Sequence, residues 1–476
     1  MVKTQTRYAC QSCGASSARW SGRCESCGEW NSIIEETPRE AAPGGLGTGA
    51  RRRAKRIDFV PVQGKSKPEP RRPSGLAEFD RVCGGGLVPG SAVLVGGEPG
   101  VGKSTLLLQV AAALGAAGGP GGGPPIAYIS GEEAVDQLRL RAHRMGLEGA
   151  RVVFAAATSV RDIAATLEDG DPPAAVILDS IQTLYVDTLD SAPGTVSQVR
   201  ACAQEMIRLA KRRGFAVLLV GHVTKDGQLA GPKVLEHMVD TVLTFEGERG
   251  HPFRILRATK NRFGPSDEIG VFEMTDAGLH EVANPSALFL GDHQDQVAGA
   301  AVFAGIEGTR PVLVEIQALS SPSPQATPRR AVVGWDSGRL AMVLAVLEAR
   351  CGLVFAGKEV YLNVAGGLRI GEPAADLAVA AALVSAACDQ PVPPGTVVFG
   401  EIGLSGEVRP VGRSEVRLKE AAKLGFKRAL VPPRRRDRKR ATKLEIQEIA
   451  HLNDLVALFA PSALRRIGRG PSGGSG

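Results

Sequence analysis

Nine consecutive residues, Gly97-Glu98-Pro99-Gly100-Val101-Gly102-Lys103-Ser104-Thr105, satisfy the spacing Gly-x4-Gly-Lys-Ser. The glycines let successive backbone N–H groups converge on one point. A helix starting there adds the positive end of its dipole, which suits the loop to phosphate. Lys103 would reach the β- and γ-phosphates of a nucleoside triphosphate, and the Ser104 hydroxyl would bind Mg2+. Asp179 ends an apolar run at residues 174–179, where an acid can hold Mg2+ through water; a strand-end Asp also caps turns. Glu132 and Glu133 follow the strand next to the phosphate loop. A carboxylate there can orient an attacking water, although acids in a first helical turn look the same in sequence. His222 follows Val220-Gly221 and could sense a γ-phosphate; a structural imidazole is the plainer alternative.

A second constellation lies near the start of the chain. Cys10, Cys13, Cys24 and Cys27 read Cys-x2-Cys-x10-Cys-x2-Cys. Each pair offers two thiolates on one tight turn, and two pairs close a tetrahedral Zn2+ site. A segment this small lacks a core of its own, so the metal would supply folding energy. Two disulfides are the alternative, and they require an oxidising compartment. Four sulfur ligands leave no open catalytic position, so the site is read as structural. Trp20, Trp30, Tyr8 and Arg19 around it form a candidate docking surface for a protein or nucleic acid.

These residues need a scaffold, and the apolar periodicity supplies one. A short apolar run at residues 91–96 enters the phosphate loop, and the apolar residues at 106–111 continue it as a helix. Strands are expected at 126–130, 174–179 and 215–220, with a helix over 132–145. A further helix buries Val196, Val199, Cys202, Met206 and Leu209 on one face. Alternating strands and helices imply a parallel sheet with its ligand at the carboxyl ends of the strands.

The 476 residues suggest two or three domains, and 43% hydrophobic composition excludes wholesale disorder. The net charge of +7 is uneven: residues 51–56 carry +5 and residues 434–443 carry +6, so the remainder nets −4. Such runs are solvated faces or contacts to nucleic-acid phosphates. Residues 37–73, rich in Gly and Pro, read as a tether. The polar N-terminus lacks a signal core. The longest apolar run, at 377–388, has 12 residues against the roughly 20 a spanning helix needs. A cytoplasmic protein without membrane contact is expected. Cys83, Cys202, Cys351 and Cys388 read as apolar core fillers.

The four-cysteine segment, the loop at Gly97, Ser130-Gly-Glu-Glu133, Gly221-His-Val-Thr-Lys-Asp-Gly227 and Lys260-Asn-Arg-Phe-Gly264 together resemble the bacterial RadA (Sms) family, over residues 8 to about 460. The resemblance implies an α/β fold in which a four-Cys zinc finger precedes a RecA-like P-loop ATPase core and a Lon protease-like domain. It implies ATP, Mg2+ and structural Zn2+, homo-hexameric rings, and ATP-dependent branch migration in recombinational repair. Single-stranded and branched DNA are the implied partners, with a RecA-type recombinase or another recombination protein. Glu132 would activate water. Lys260 and Arg262 would act on a neighbouring subunit's nucleotide or couple hydrolysis to DNA movement. The residues alone read there as a solvated hairpin. Residues 183–197 and 224–235 would face a DNA channel.

The carboxyl-terminal third, through Tyr361-Leu-Asn-Val-Ala-Gly-Gly367, Glu372 to Asp376 and Gly400 to Gly412, resembles the Lon protease domain, whose Ser–Lys dyad maps here to Ala374 and Glu415. Neither can do that chemistry. Ser405 and Lys419 match no catalytic position. A scaffold for ring assembly and DNA binding is expected. The resulting division is 1–36 finger, 37–70 basic linker, 71–284 ATPase core, 285–462 Lon-like domain and 463–476 disordered tail. A DNA motor is the leading reading. An ATP-switched adaptor and an ATP-dependent protease are the alternatives.

Overall fold

The structure is a computed structural model. It describes residues 7–10, 16–17, 19–30, 32–36, 70–117, 123–222, 234–247, 251–266, 268–286, 290, 297–325, 327–433 and 443–459. Cys13, both basic runs apart from Lys443, nearly all of the tether, the loop at 224–233 and the tail lie outside these residues. The chain divides into two compact units, residues 1–247 with 254–281, and residues 248–253 with 282–476.

The first unit begins with a three-stranded antiparallel ribbon of β1 (Arg7–Cys10), β2 (Ser16–Ser17) and β3 (Ile33–Glu36), ordered β2-β1-β3. Helix α1 (Ala77–Val82) leads into β4 (Ala92–Gly97) and α2 (Lys103–Ala116). Alternation continues through β5 (Ile126–Ser130), α3 (Val135–Arg144), β6 (Val152–Ala156), α4 (Val160–Glu168), β7 (Ala175–Asp179), α5 (Val196–Arg213) and β8 (Ala216–His222). The short α6 (Val234–Met238) precedes β9 (Thr241–Glu246), β10 (Phe253–Asn261), β11 (Ile269–Thr275) and β12 (Gly278–Glu281). One nine-stranded sheet results, ordered β12-β11-β10-β9-β4-β8-β7-β5-β6. Its strands from β9 to β6 in that order run parallel.

The period-2 geometry of a strand explains the two cores. Val93, Val95, Ile126 and Tyr128 join α2 on one face; Ala92, Leu94, Ala127 and Ile129 join α4 and α5 on the other. Continuous apolar runs therefore read as strands, because both faces are covered. The expected stripe on α5 is buried: Val199, Cys202 and Met206 have no exposed surface. Burial also pushes the Cys202 thiol up to about 12, as expected of an inert core filler.

The second unit carries a seven-stranded sheet, ordered β15-β16-β14-β13-β17-β20-β21. Its strands are β13 (Ala300–Glu307), β14 (Arg310–Pro322), β15 (Arg330–Val333), β16 (Lys358–Val364) and β17 (Thr396–Val398), with β20 (Arg428–Val431) and β21 (Glu445–Glu448). A separate pair, β18 (Glu401–Ile402) and β19 (Val408–Arg409), lies between β17 and β20 in the chain. Helices α7 (Ser337–Cys351), α8 (Asp376–Cys388), α9 (Ser414–Lys423) and α10 (Leu452–Phe459) complete it. Nine consecutive residues of α8, Asp376 to Val384, are buried, so the helix is apolar all round because it is enclosed all round. Among the described residues no helix is long and apolar enough to cross a membrane.

Candidate functional site

Four parallel strands deliver the chemistry to one edge of the sheet. In register, Gly97 on β4 stands opposite His222 on β8, and Ser130 on β5 opposite Asp179 on β7. The phosphate loop leaves β4 through Gly97, where a Cβ would lie 2.5 Å from the Phe245 carbonyl oxygen. Gly102 caps α2 at φ 112, a left-handed conformation that glycine tolerates, and a Cβ there would meet Met274 Cε at 2.5 Å. Within the loop the Val101 N–H donates to the Glu98 carbonyl at 3.3 Å, while Glu98, Pro99 and Gly100 are exposed. Lys103 is buried, and its Nζ donates to the Gly97 and Glu98 carbonyls at 2.7 and 3.0 Å. Burial pushes its pKa down, against the pull of Asp179 and Glu132.

Asp179 is 7% exposed and accepts a 2.6 Å hydrogen bond on Oδ2 from the buried Tyr128 phenol. Hydroxyl and carboxylate oxygens are the hard donors Mg2+ takes, and Ser104 and Asp179 fit that ion. Two strands, β8 and β7, separate β5 from β4, so Glu132 does not follow a strand adjacent to the phosphate loop. The helix after β5 also starts at Val135, later than the expected 132. The Ser130 hydroxyl explains this, because it accepts from the backbone N–H groups of Glu132 and Glu133 at 3.2 and 2.9 Å. That turn leads Glu132 back toward the loop. Its Oε1 accepts from the Ser180 hydroxyl and lies 3.1 Å from His222 Nε2. Burial raises the Glu132 pKa, but hydrogen bonds from Ser180 and His222 outweigh it and hold the carboxyl below its usual range. Glu133 turns aside into an ion pair with Arg141.

Lys103, Ser104, Asp179, Glu132 and His222 thus converge, but Lys260 and Arg262 do not join them. Lys260 pairs with Val242 and Asn261 with Thr241, beside the N-terminal end of β4. That is three to four residues from Gly97 along the strand, roughly 10–13 Å at about 3.3 Å per residue. Lys260 Nζ donates to the Glu236 and Val239 carbonyls; Arg262 Nη1 meets Asp240 Oδ1 at 3.1 Å. Beyond the end of β10 the Phe263 N–H donates to Asn261 Oδ1 at 2.9 Å.

Several participants had no sequence signal. Ser180 and Tyr128 act on partners some fifty residues away. Arg254 Nε donates to the Val101 carbonyl at 3.1 Å, bracing the phosphate loop from β10. Gln198, 1% exposed, holds the loop at 186–191 through four backbone hydrogen bonds; a polar residue on the apolar stripe of α5 was the available hint.

In the ribbon the sulfurs of Cys10, Cys24 and Cys27 lie within 4.8 Å of one another. Cys10 and Cys27 are 3.6 Å apart, near the roughly 3.8 Å edge of a tetrahedron with Zn–S of about 2.3 Å and far beyond a disulfide bond. The three thiols therefore fit Zn2+. Trp20 and Trp30 are 59% and 68% exposed and flank Gly22.

In the second unit, Ala374 is buried and Glu415 opens α9. Two residues from each, Glu372 and Arg417 form a bidentate ion pair at 3.0 and 2.6 Å.

The AAA domain family matches residues 53–228, the Rubredoxin metal binding domain family residues 8–35, and the family of subunit ChlI of Mg-chelatase residues 339–435. The solved RadB recombinase is 21% identical, covers 44% of this chain and 99% of its own, and superposes with a TM-score of 0.36. DNA repair protein RadA of Brucella abortus (strain 2308) is 58% identical over 97% of this chain and 99% of its own length. That of Bacillus subtilis (strain 168) is 49% identical over 91% and 93%. At that identity over nearly the full length, with a metal ribbon, an ATPase core and a Lon-like unit in the same order, the chain belongs to the RadA family of DNA repair proteins.

Proposed function

We propose that this protein is a DNA-dependent ATPase of homologous recombination that binds single-stranded and branched DNA and drives branch migration. The observation that supports this best is the convergence of Lys103, Ser104, Asp179, Glu132 and His222 at the carboxyl edge of one parallel sheet. Residues 97–105 would hold the triphosphate of ATP, with Lys103 exchanging its two carbonyl partners for phosphate oxygens. Ser104 and Asp179 would hold Mg2+, which screens phosphate charge when bound. Glu132, kept ionised by Ser180 and His222, would take the proton of the attacking water. His222 ends β8 with its Nε2 3.1 Å from Glu132 Oε1, so a change at Glu132 is felt at the end of that strand.

Lys260 and Arg262 lie too far from their own phosphate loop to serve it, which favours action on a neighbour's nucleotide in a ring, the expected hexamer. Arg262 keeps 54% of its side chain exposed for that role. Zn2+ on Cys10, Cys13, Cys24 and Cys27 would make the ribbon a rigid platform for a RecA-type recombinase or another recombination protein. The carboxyl-terminal unit would serve assembly and DNA contact, because Ala374 offers no nucleophile. The domain limits read from the sequence and a cytoplasmic location belong to the same reading. The test is strand processing on a branched DNA by Lys103→Ala. Loss of branch migration with DNA binding retained is expected; unimpaired migration would refute the motor.

A further inference from the structure

We propose that Tyr128 is a positioning residue for the divalent cation, setting the Asp179 carboxylate through its phenol. This rests on the reading of Ser104 and Asp179 as the Mg2+ site and deepens it. Tyr128 sits in the middle of β5 with no exposed surface, among the residues that pack under α2. Its side chain therefore lies on the face of the sheet that carries Ser104 at the start of that helix. The phenol donates to Asp179 Oδ2 at 2.6 Å.

The proton order follows from what each group offers. The phenol has one proton, and it goes to Asp179 Oδ2. The other carboxylate oxygen has no hydrogen-bond partner among the described residues and is left for the cation or its water. One side chain thus fixes the direction of the carboxylate. Partners of this kind change metal affinity about 10–100-fold when removed.

The experiment uses the full chain and a fluorescent ATP analogue, titrated first in EDTA and then with Mg2+. Tyr128→Phe is expected to bind the analogue in EDTA within about twofold of the unsubstituted protein. Its half-saturating Mg2+ concentration is expected to rise about 10–100-fold, with turnover recovering at high Mg2+. An unchanged Mg2+ dependence, or an equal defect with and without Mg2+, overturns the proposal. Asp179→Asn separates the two readings. If it too leaves Mg2+ dependence unchanged, the metal site itself is wrong; if it alone shifts, only the role of Tyr128 falls. Should Tyr128→Phe not fold, the four tyrosines of the otherwise unchanged chain can be replaced by 3-fluorotyrosine. A 19F resonance that moves when Mg2+ joins the bound analogue, and stays still in Asp179→Asn, supports the proposal; four unmoved resonances overturn it.

Discussion

The Glu372–Arg417 pair allows a worked test of how the carboxyl-terminal unit is held. Arg417 is 4% exposed and Glu372 23%. Besides its two bonds to Glu372, Arg417 donates to the Ala304 carbonyl at 2.7 Å and the Gly412 carbonyl at 3.2 Å, and it lies 5.6 Å from the Phe399 ring centroid. Glu372 also accepts from the Ile306 N–H at 2.7 Å. Arg417→Met strands a carboxylate among apolar neighbours and should cost about 3–5 kcal/mol. Glu372→Gln keeps an oxygen for Ile306 and should cost about 1–3 kcal/mol. The double variant buries no unpaired charge, so it should cost no more than Arg417→Met alone, well short of the sum of the singles. Thermal unfolding followed by tryptophan emission isolates this unit once Trp20 and Trp30 are changed to Phe, because Trp335 is the third and last tryptophan. Arg417→Met should lower the midpoint by about 6–20 °C. Strictly additive losses would refute the view that the two charges sustain one another.

The remaining expectations concern the ribbon and the ATP site. Cys27→Ser should release zinc, measured by metal analysis, and weaken partner or DNA engagement while ATP turnover without DNA persists; retained stoichiometric zinc would count against the ligand set. Arg262→Ala should reduce turnover or coupling more than nucleotide affinity, and unchanged turnover with normal strand processing would return Arg262 to an ordinary turn. Glu132 has a depressed pKa, so its contribution to stability is present above the ordinary value of 4.5 and is lost as pH falls through the lowered folded value. The gap in unfolding midpoint between the unsubstituted protein and Glu132→Gln should therefore close as pH falls below 4.5; a gap that persists undiminished through that range would contradict the assignment.

The phosphate loop was legible because all its chemistry is contiguous, and Asp179 because a strand covered on both faces leaves an unbroken apolar run before it. The order of the strands was not legible. Nothing local in residues 126–130 says that β7 and β8 lie between them and β4. Glu132 reaches the site only through Ser180 and His222, which are 48 and 90 residues away in the chain. The late start of α3 had a readable cause in Ser130, whose hydroxyl occupies the N–H groups a helix would have used. Tyr128 reads as core in any apolar run, and its polar end matters only once β7 is beside it. That Ala374 and Glu415 stand where the Lon resemblance would place a Ser–Lys dyad was legible in the sequence, whereas the ion pair two residues from each needed the fold.

The most direct measurement is ATP hydrolysis by full-length Glu132→Gln in the presence of single-stranded DNA, with ATP binding measured in parallel. If Glu132 takes the proton from water at a loop built by Lys103 and Ser104, binding persists and turnover falls by about 10²–10⁴-fold. Hydrolysis at the unsubstituted rate would contradict that assignment.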